Sequence, residues 1–279
     1  MNFAKLTKNF GALALAGVFA ACTTTAAFAA GEIDEIKDRG YLKVGVKNDV
    51  VGFSFQDPLS GEYKGYEDTL AQMIADSLGV DVEFTAVTAA TRGELVDSGD
   101  LDIAIATFTI TPERVKHWDF STPYYTDYVS VLVENSSNIK TLADLKDKKV
   151  GVSSGSTSAM ALTKAMIEAG IIDGAGFNEK TFDPATWTQG ISFQQYDNYP
   201  TISTALSAGE VQAFCVDKSI LNIYQTKNRS FVTDARFSPQ DYGTCTKKGS
   251  ELSAYVDNLI KTWKADGTLA KLIEENNLN

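Results

Sequence analysis

Short apolar runs alternate with amphipathic segments along most of the chain. Residues 42–46 and 148–152 share a Val-Gly-Val pattern that predicts two short buried strands. Residues 66–78 place apolar side chains at helical spacing and are followed by Gly79, a typical helix end. The same spacing over residues 252–263 predicts an amphipathic helix near the C-terminus. This alternation favours an α/β fold with mostly parallel sheets.

The pattern occurs twice in the sequence. Each Val/Gly strand is followed by a helix, a second strand and a similar closing segment, at residues 95–103 and 205–213. When the two closing segments are superimposed, Thr107 falls on Asp217. The repetition predicts two doubly wound lobes, and such sheets bind ligands at the carboxyl ends of their strands.

The chain is expected to cross between these lobes twice. Residues 128–133 predict a strand that leaves the first lobe, and the extended segment 240–248 precedes helices that return to it. Lobe 1 is therefore predicted to contain residues 30–127 and 241–279, and lobe 2 residues 128–240. Two crossings make a two-segment hinge. The segment 173–194 is rich in Gly, Asp, Thr and Asn and predicts a long surface loop of lobe 2.

The segment from Ala104 to Tyr125 has the composition of a carboxylate clamp. A buried strand leads to Thr107 and Thr109, and Thr111-Pro112 predicts a helix start with a capping hydroxyl. Arg114 then lies on the first helical turn, where its guanidinium and the nearby hydroxyls suit bidentate capture of a carboxylate. A surface arginine on an ordinary strand-to-helix connection is the alternative interpretation.

Three further segments are candidates for a binding site. Thr91 and Glu94 form the pattern of a capping box, which predicts Arg92 at a helix N-terminus, where a bound anion would offset its unfavourable position. The Ser/Thr-rich run 153–158 predicts a second anion cradle, although a well-capped helix explains it equally. Asp217 ends a strand and suits an ammonium group, with a turn aspartate as the alternative.

Composition and charge exclude several classes of protein. The chain has 279 residues, 44% of them hydrophobic, and a formal net charge of −11. Because an acidic surface repels phosphate and no basic run is present, nucleic acid is not expected as a partner. Two lysines, an apolar run and Ala27-Phe28-Ala29 predict a signal peptide at residues 1–29 and export to the periplasm. A lipid anchor at Cys22 is the alternative to a freed protein.

The cysteine and histidine content argues against metal chemistry. After signal removal only Cys215 and Cys245 remain, and the sequence leaves open whether they form a disulfide. The single histidine, His117, has no Cys-x-x-Cys motif or other ligand cluster around it. Neither a metal site nor a cofactor is therefore expected.

Taken together, these motifs resemble the exported solute-binding proteins of ATP-driven importers for polar amino acids, family 3, which have the type II periplasmic binding protein fold. The resemblance covers nearly all of the mature chain and rests on the following segments: residues 45–49, 65–67, 91–93, 106–114, 119–125 and 216–219. It implies that Arg114, Thr107 and Thr109 hold a ligand's α-carboxylate and that Asp217 holds its α-ammonium group.

The chain is most similar to the aspartate- and glutamate-binding members. That resemblance assigns a side-chain carboxylate to Arg92, with contributions from Lys47, Tyr199, Ser156 and Thr157. A site with three cations against Asp217 agrees with an acidic ligand, whereas glutamine or another polar amino acid remains open if Arg92 points to solvent. A dehydratase-like enzyme on the same fold is a more distant alternative. The resemblance further implies a monomer that delivers one amino acid to a membrane permease.

Overall fold

The computed structural model describes residues 31–278. The predicted signal peptide and Cys22 lie outside these residues. Within the described part, none of the helices combines the length and the apolar character needed to cross a membrane.

Strands and helices alternate through the first half of the chain. Up to the first crossing they are α1 (Glu32–Arg39), β1 (Tyr41–Val46), β2 (Asp49–Val50), β3 (Ser54–Gln56), β4 (Tyr63–Lys64), α2 (Tyr66–Leu78), β5 (Asp81–Ala86), α3 (Thr91–Ser98), β6 (Ile103–Ala104), α4 (Arg114–His117), β7 (Trp118–Phe120) and β8 (Tyr125–Glu134). Two 3₁₀ turns follow at Asn135–Ser137 and Leu142–Leu145.

The second half continues the alternation and then returns. Its elements are β9 (Lys149–Ser153), α5 (Ser158–Glu168), β10 (Ser192–Tyr196), α6 (Tyr199–Ala208), β11 (Ala213–Asp217), α7 (Lys218–Tyr224), β12 (Arg229–Phe231), β13 (Phe237–Tyr242), β14 (Cys245–Lys247), α8 (Glu251–Ala265) and α9 (Thr268–Glu275).

Two mixed sheets organise the two lobes. The sheet of lobe 1 has the order β5-β1-β6-β14-β7, in which β1 pairs in parallel with both β5 and β6. The sheet of lobe 2 has the order β10-β9-β11-β8-β12, in which β9 pairs in parallel with both β10 and β11. The strands that cross between lobes or return along the chain add the antiparallel pairs. The predicted two-lobed α/β fold is thus confirmed, but each sheet is mixed rather than mostly parallel, with the parallel pairs around β1 and β9.

Helix α2 shows how the apolar pattern fixes local structure. It begins and ends where the pattern predicts, and Leu70, Ile74 and Leu78 are buried. Gly79 ends the helix in the left-handed region, with φ of 74°, and its N–H donates to the carbonyl of Asp76. Glycine adopts this conformation at little cost, so the residue that follows the last apolar position stops the helix.

Strands β8 and β13 cross between the two lobes side by side. They pair antiparallel, with Tyr125 opposite Tyr242 and Asp127 opposite Gln240. The lobes also touch across the cleft, because a Cβ on Gly155 of lobe 2 would lie 2.7 Å from the Cα of Ala90 in lobe 1. The cleft is therefore closed in this structure.

Two local predictions need correction. Thr91 and Glu94 do not form a capping box; Thr91 is the first helical residue, and its N–H donates to the hydroxyl of Thr88 instead. Arg92 therefore lies one position further into α3 than expected. The predicted loop at residues 173–194 ends earlier, because residues 192–194 belong to β10. Within it the rings of Phe177, Phe182 and Trp187 pack 5.6–5.8 Å apart. Both corrections depend on contacts that periodicity does not report.

The two cysteines lie in different sheets, Cys215 in β11 and Cys245 in β14. Both are buried free thiols.

Candidate functional site

The end of β6 forms the centre of the site in lobe 1. Thr107 lies in the left-handed region with φ of 47°, which is uncommon for a residue other than glycine. Its hydroxyl is buried and has no hydrogen-bond partner among the described residues. The hydroxyl of Thr111 accepts the N–H of Arg114 at 3.2 Å, but helix α4 begins at Arg114, two residues after the start predicted at Pro112. Strained backbone of this kind persists where surrounding contacts enforce it, and it is frequent at binding sites.

Arg114 joins the two lobes by its fork of donors. Its Nη1 donates to the carbonyl of Thr109 at 2.8 Å, and its Nη2 donates to the carbonyl of Gly155 at 2.9 Å. The second bond crosses the cleft. Arg114 is half-buried, and Cys245 is one of its neighbours.

A single aromatic ring supports both arginines of the site. The guanidinium carbons of Arg92 and Arg114 lie 4.0 Å and 4.8 Å from the ring centroid of Phe108. Phe108 is 2% exposed and packs against Trp118 and Phe120. Cation–π contacts of this kind hold a guanidinium in place while its N–H groups remain free to bind an anion.

Arg92 and Glu67 hold the Thr107 peptide from opposite ends. Nη1 of Arg92 donates to the carbonyls of Ala106 and Thr107, at 2.5 Å and 2.9 Å. Oε1 of Glu67 accepts the N–H of Thr107 at 2.6 Å and the hydroxyl of Tyr124 at 2.5 Å. The three bonds to the backbone of Ala106 and Thr107 fix the left-handed turn, and the bond from Tyr124 positions Glu67. Nε of Arg92 and Oε2 of Glu67 are buried without a partner among residues 31–278.

Lobe 2 places Asp217 and the Ser/Thr run on its side of the cleft. One carboxylate oxygen of Asp217 accepts the hydroxyl of Tyr242, while the other is buried with no partner in the described chain. The hydroxyl of Ser156 is likewise buried and unpaired in that part of the structure. The hydroxyl of Thr157 donates to the side-chain oxygen of Gln240 at 2.6 Å.

Gln240 connects both lobes to the hinge. Its side-chain oxygen accepts the hydroxyls of Thr109 at 2.9 Å and of Thr157 at 2.6 Å, one from each lobe. Its amide nitrogen donates to the carbonyl of Ser238 at 2.9 Å. Because Gln240 lies on β13, the position of the hinge strand and the position of both threonines are linked.

Lys47 and Tyr199 meet at the other end of the cleft. The Nζ atom of Lys47 lies 4.9 Å from the ring centroid of Tyr199 and 3.7 Å from Oδ1 of Asp49. The N–H of Tyr199 donates to Oδ2 of Asp49 at 3.2 Å, which ties the start of α6 to lobe 1. Lys47 is 1% exposed, so its ammonium group is buried in the protein.

Five of the nine residues predicted from sequence are linked by contacts through Phe108 and Gln240: Arg92, Thr107, Thr109, Arg114 and Thr157. Lys47 and Tyr199 form a second group with Asp49, Asp217 contacts Tyr242, and the hydroxyl of Ser156 has no partner among the described residues. The residues of these contacts that were not predicted to bind a ligand include Glu67, Phe108, Gln240 and Tyr242. Glu67 stands in the Gly-Tyr-Glu motif and Phe108 between the two clamp threonines, so both had a signal in the sequence. Gln240 and Tyr242 had none, because only the hinge pairing brings them to the cleft.

A cavity of about 560 Å³ adjoins this network. Arg114, Ser156 and Thr157 line it, together with part of the long loop, residues 178–180 with Phe182 and Pro184. Its volume falls in the range of small-molecule sites. A second cavity, of about 670 Å³, contains none of the predicted site residues in its lining.

Burial dominates the electrostatics of the site. It raises the pKa of Glu67 to about 8, against the hydrogen bonds from Tyr124 and Thr107 that favour the ionised form. Burial and the neighbouring Asp127 raise the pKa of Asp217 to about 7. Burial lowers the pKa of Lys47, and Asp49 partly offsets this effect. The arginines keep their charge, because a guanidinium does not deprotonate under ordinary conditions.

These raised pKa values predict a pH-dependent stability. Burial also raises the pKa of Asp68 to about 7, whereas the carboxyls take up protons near pH 4 in the unfolded chain. Between these values the folded state binds more protons, so the free energy of unfolding should fall as pH rises from 5 to 8. Each carboxyl lowers the free energy of unfolding by about 1.4 kcal/mol per pH unit between its pKa in the unfolded chain and its pKa in the folded protein. Urea denaturation across this range measures the slope.

A double variant, Glu67→Gln with Asp68→Asn, is the control for that slope. Exposed carboxyls with lowered pKa values, such as Asp57 and Asp144, complete their titration below pH 5 and contribute nothing in this range. The double variant should show a flatter dependence than the parent. An unfolding free energy that rises from pH 5 to pH 8 in the parent would contradict the assignment.

The site offers guanidinium, ammonium, hydroxyl and carboxylate groups, which suit an organic ion. Among residues 31–278 there is no group of three His, Cys, Asp or Glu side chains that could hold a metal ion.

Known proteins share both the sequence and the fold. The chain is 33% identical over 238 residues to the glutamine-binding protein GlnH of Bacillus subtilis, which covers 83% of this chain and 79% of that protein. It is 33% identical over 250 residues to the L-cystine-binding protein TcyJ of Escherichia coli, covering 88% and 85%. Another relative is named for glutamate, and the substrate-binding protein AbpA from Streptococcus pneumoniae is described as bound to L-arginine.

A solved structure agrees with the architecture. The P235GK mutant of ArgBP from T. maritima superimposes with a TM-score of 0.74 at 26% identity, covering 88% of this chain and 99% of that one. The model of one family matches residues 42–277, which include all nine predicted site residues and, apart from Tyr41 of β1, the sheets of both lobes. The chain therefore belongs to the bacterial extracellular solute-binding proteins, family 3, and has the type II periplasmic binding protein fold.

Proposed function

We propose that this protein is the extracytoplasmic substrate-binding protein of an ATP-driven importer, and that it binds an acidic amino acid, glutamate or aspartate, between its lobes. The observation that carries the proposal is the buried network in which Arg114 and Asp217 face one cleft from opposite lobes. A free amino acid has one carboxylate and one ammonium group at a fixed separation. A guanidinium and a carboxylate held apart by the fold are complementary to that pair.

The α-carboxylate is assigned to Arg114, Thr107 and Thr109. Arg114 supplies a charged fork, and the buried hydroxyl of Thr107 is free to donate. The α-ammonium group is assigned to Asp217, whose Oδ1 is buried and free to accept. An unpaired buried polar atom costs about 1–3 kcal/mol, and a ligand that satisfies these atoms recovers that energy on binding.

The side-chain carboxylate is assigned to Arg92 and Lys47, with Tyr199, Ser156 and Thr157 around them. Nε of Arg92 is buried and not hydrogen-bonded within the described residues, and Lys47 is buried beside the ring of Tyr199. Two buried cations beyond the α-carboxylate position favour a negatively charged side chain. A carboxylate bound beside these two cations would balance their charge in a region of low dielectric.

A neutral polar amino acid such as glutamine is the second candidate. Glu67 and Asp49 lie close enough to interact with Lys47, and Glu67 also with Arg92, so ionised carboxylates could already neutralise both cations. The relatives GlnH and TcyJ are named for neutral ligands. The charge of the ligand side chain thus depends on how many of these acids are ionised.

Closure is proposed to occur about the two crossing strands. We place the boundaries between the lobes at residues 127/128 and 240/241, where β8 and β13 pair in antiparallel register. Hinge closure of two lobes around a ligand is a common motion, and only the ligand's contacts to both lobes stabilise the closed form. The closed monomer is proposed to engage a membrane permease, after export directed by the signal at residues 1–29.

Calorimetric titration of the mature protein with the twenty amino acids tests the proposal. Glutamate or aspartate should bind most tightly, with a 1:1 stoichiometry. Binding of glutamine at least about tenfold tighter than both acids would reject the acidic assignment. Mass spectrometry of the ligand after incubation tests the dehydratase alternative, since a transport protein should return the amino acid unaltered.

Gly155 gives a direct test of closure. A Cβ at this position would lie 2.7–2.9 Å from backbone atoms of Ala89 and Ala90 in the opposite lobe. Gly155→Ala should therefore oppose closure and weaken ligand binding about tenfold or more. Gly170→Ala is the matched control, because Gly170 also has a left-handed φ but no atom within 4 Å of the added carbon. Equal affinities for the two variants would contradict the closure argument.

A further inference from the structure

The buried carboxyl of Glu67 has no part in the predicted ligand set, yet it lies among the cations that define that set. It is 0% exposed and stands at the start of α2. Its Oε1 is used by Thr107 and Tyr124, whereas its Oε2 has no partner among the described residues. The positive charge of Arg92 lowers the pKa of Glu67, and the negative charge of Glu67 raises the pKa of Lys47.

We propose that Glu67 determines the charge of the ligand side chain that the cleft accepts. The proposal deepens the proposed function and rests on it. When Glu67 carries a proton, Arg92 and Lys47 are left to attract an acidic side chain. When Glu67 is ionised, its negative charge compensates these cations and repels a second carboxylate, so that a neutral side chain is preferred.

The contacts of Glu67 explain how one residue can do both. The N–H of Thr107 and the hydroxyl of Tyr124 both donate to Oε1, which leaves Oε2 as the oxygen that gains or loses the proton. The Thr107 turn therefore keeps its hydrogen bond in either state. A change of charge on Glu67 then acts mainly on Arg92, whose Nη1 donates to the carbonyl of Ala106 on the other side of the same peptide.

The other titratable groups that face Glu67 are two tyrosines, Asp68 and Lys47. On α2 its neighbours are Tyr66, whose hydroxyl donates to the carbonyl of Tyr124, and Asp68, which accepts from Ser54. Burial raises the pKa of both tyrosines, 66 and 124, above the range of interest, so they stay neutral. Lys47 and Asp68, whose pKa burial raises to about 7, could also titrate on binding an anion, and variants must separate them from Glu67.

Proton uptake measured by calorimetry tests the proposal. Titrations of glutamate and of glutamine at pH 8, in buffers with different ionisation enthalpies, give the number of protons taken up with each ligand. A bound side-chain carboxylate raises the pKa of Glu67 further, so glutamate should take up more protons than glutamine. Any contribution from Asp217 and the common α-groups cancels in this difference. From pH 6.5 to pH 9 the preference for glutamate over glutamine should fall about tenfold.

Glu67→Gln keeps the side-chain shape and an acceptor for Thr107 but removes the titration. In this variant the extra uptake with glutamate should decrease and the preference should become less dependent on pH; any uptake by Lys47 would remain. Asp68→Asn, the adjacent buried carboxyl, is the matched control: it should keep the extra proton uptake with glutamate, with a midpoint at lower pH because the charge of Asp68 raises the pKa of Glu67. A purely structural role for Glu67 would change affinity for both ligands equally and would leave proton uptake unchanged.

Two results would overturn the proposal. One is a preference in the parent that does not vary between pH 6.5 and pH 9, which needs no variant to fold. The other is the same extra proton uptake in Glu67→Gln as in the parent. Tight binding of glutamate or glutamine accompanied by either result would leave the proposed function intact, whereas failure of the parent to bind any amino acid would reject both.

Discussion

Arg114→Ala should lower the affinity for the amino acid by about 30-fold or more. The substitution removes the charged fork assigned to the α-carboxylate and leaves the carbonyls of Thr109 and Gly155 without their donor. Truncating one partner of a buried, hydrogen-bonded charge pair costs about 2–5 kcal/mol. Isothermal titration calorimetry measures the change directly, and circular dichroism shows whether the variant is folded.

Two further variants define what Arg114 contributes. Arg114→Lys keeps the charge but not the planar pair of donors, so it should restore only part of the lost affinity. Lys116→Ala lies on the same short helix, where Lys116 pairs with Glu113 on the surface, and it should bind like the parent. If Arg114→Ala stays within about threefold of Lys116→Ala, Arg114 does not hold the ligand.

Asp217→Asn is the second large effect, and it should uncouple binding from closure. Asparagine keeps the shape and an oxygen for the hydroxyl of Tyr242, but it lacks the charge assigned to the α-ammonium group. We expect an affinity loss of about 30-fold or more. Since Asp217 is on lobe 2, ligand held by lobe 1 alone should no longer stabilise the closed form.

Small-angle scattering distinguishes this outcome from a simple loss of affinity. At ligand concentrations that saturate Asp217→Asn, its radius of gyration should decrease less than that of the parent. Asp197→Asn, an exposed aspartate of the same lobe, is the control and should compact fully. Complete compaction of the Asp217 variant at saturation would refute the coupling.

The sequence predicts the positions of the cleft residues better than it predicts the net charge of the cleft. The nine predicted residues are ones whose position relative to a strand end is encoded locally, such as Thr107 after β6 and Asp217 at the end of β11. The count of three cations against Asp217, however, omitted Glu67 and Asp49. Both lie early in the chain, and only the packing of α2 and the β1 end against the clamp brings them to Lys47 and Arg92.

Arg92 shows the same limit at the level of one residue. Thr91 and Glu94 predict its position near a helix N-terminus through a capping box, and that box does not form. In the fold its Nη1 bonds to the carbonyls of Ala106 and Thr107. The packing of α3 on the end of β6 therefore determines whether the remaining N–H groups of Arg92 face a ligand.

The sequence by itself determined the repeated α/β plan and the strand-to-helix connection that carries Thr107 and Arg114, because apolar periodicity, glycine stops and capping hydroxyls act over a few neighbouring residues. Only the tertiary structure decided which buried charges share the cleft and which hydrogen bonds hold Thr107 in its left-handed turn. These depend on contacts between residues far apart in the chain, such as Thr109 with Gln240 and Thr107 with Glu67. In a region of low dielectric such contacts determine whether each charge is compensated or available to a ligand.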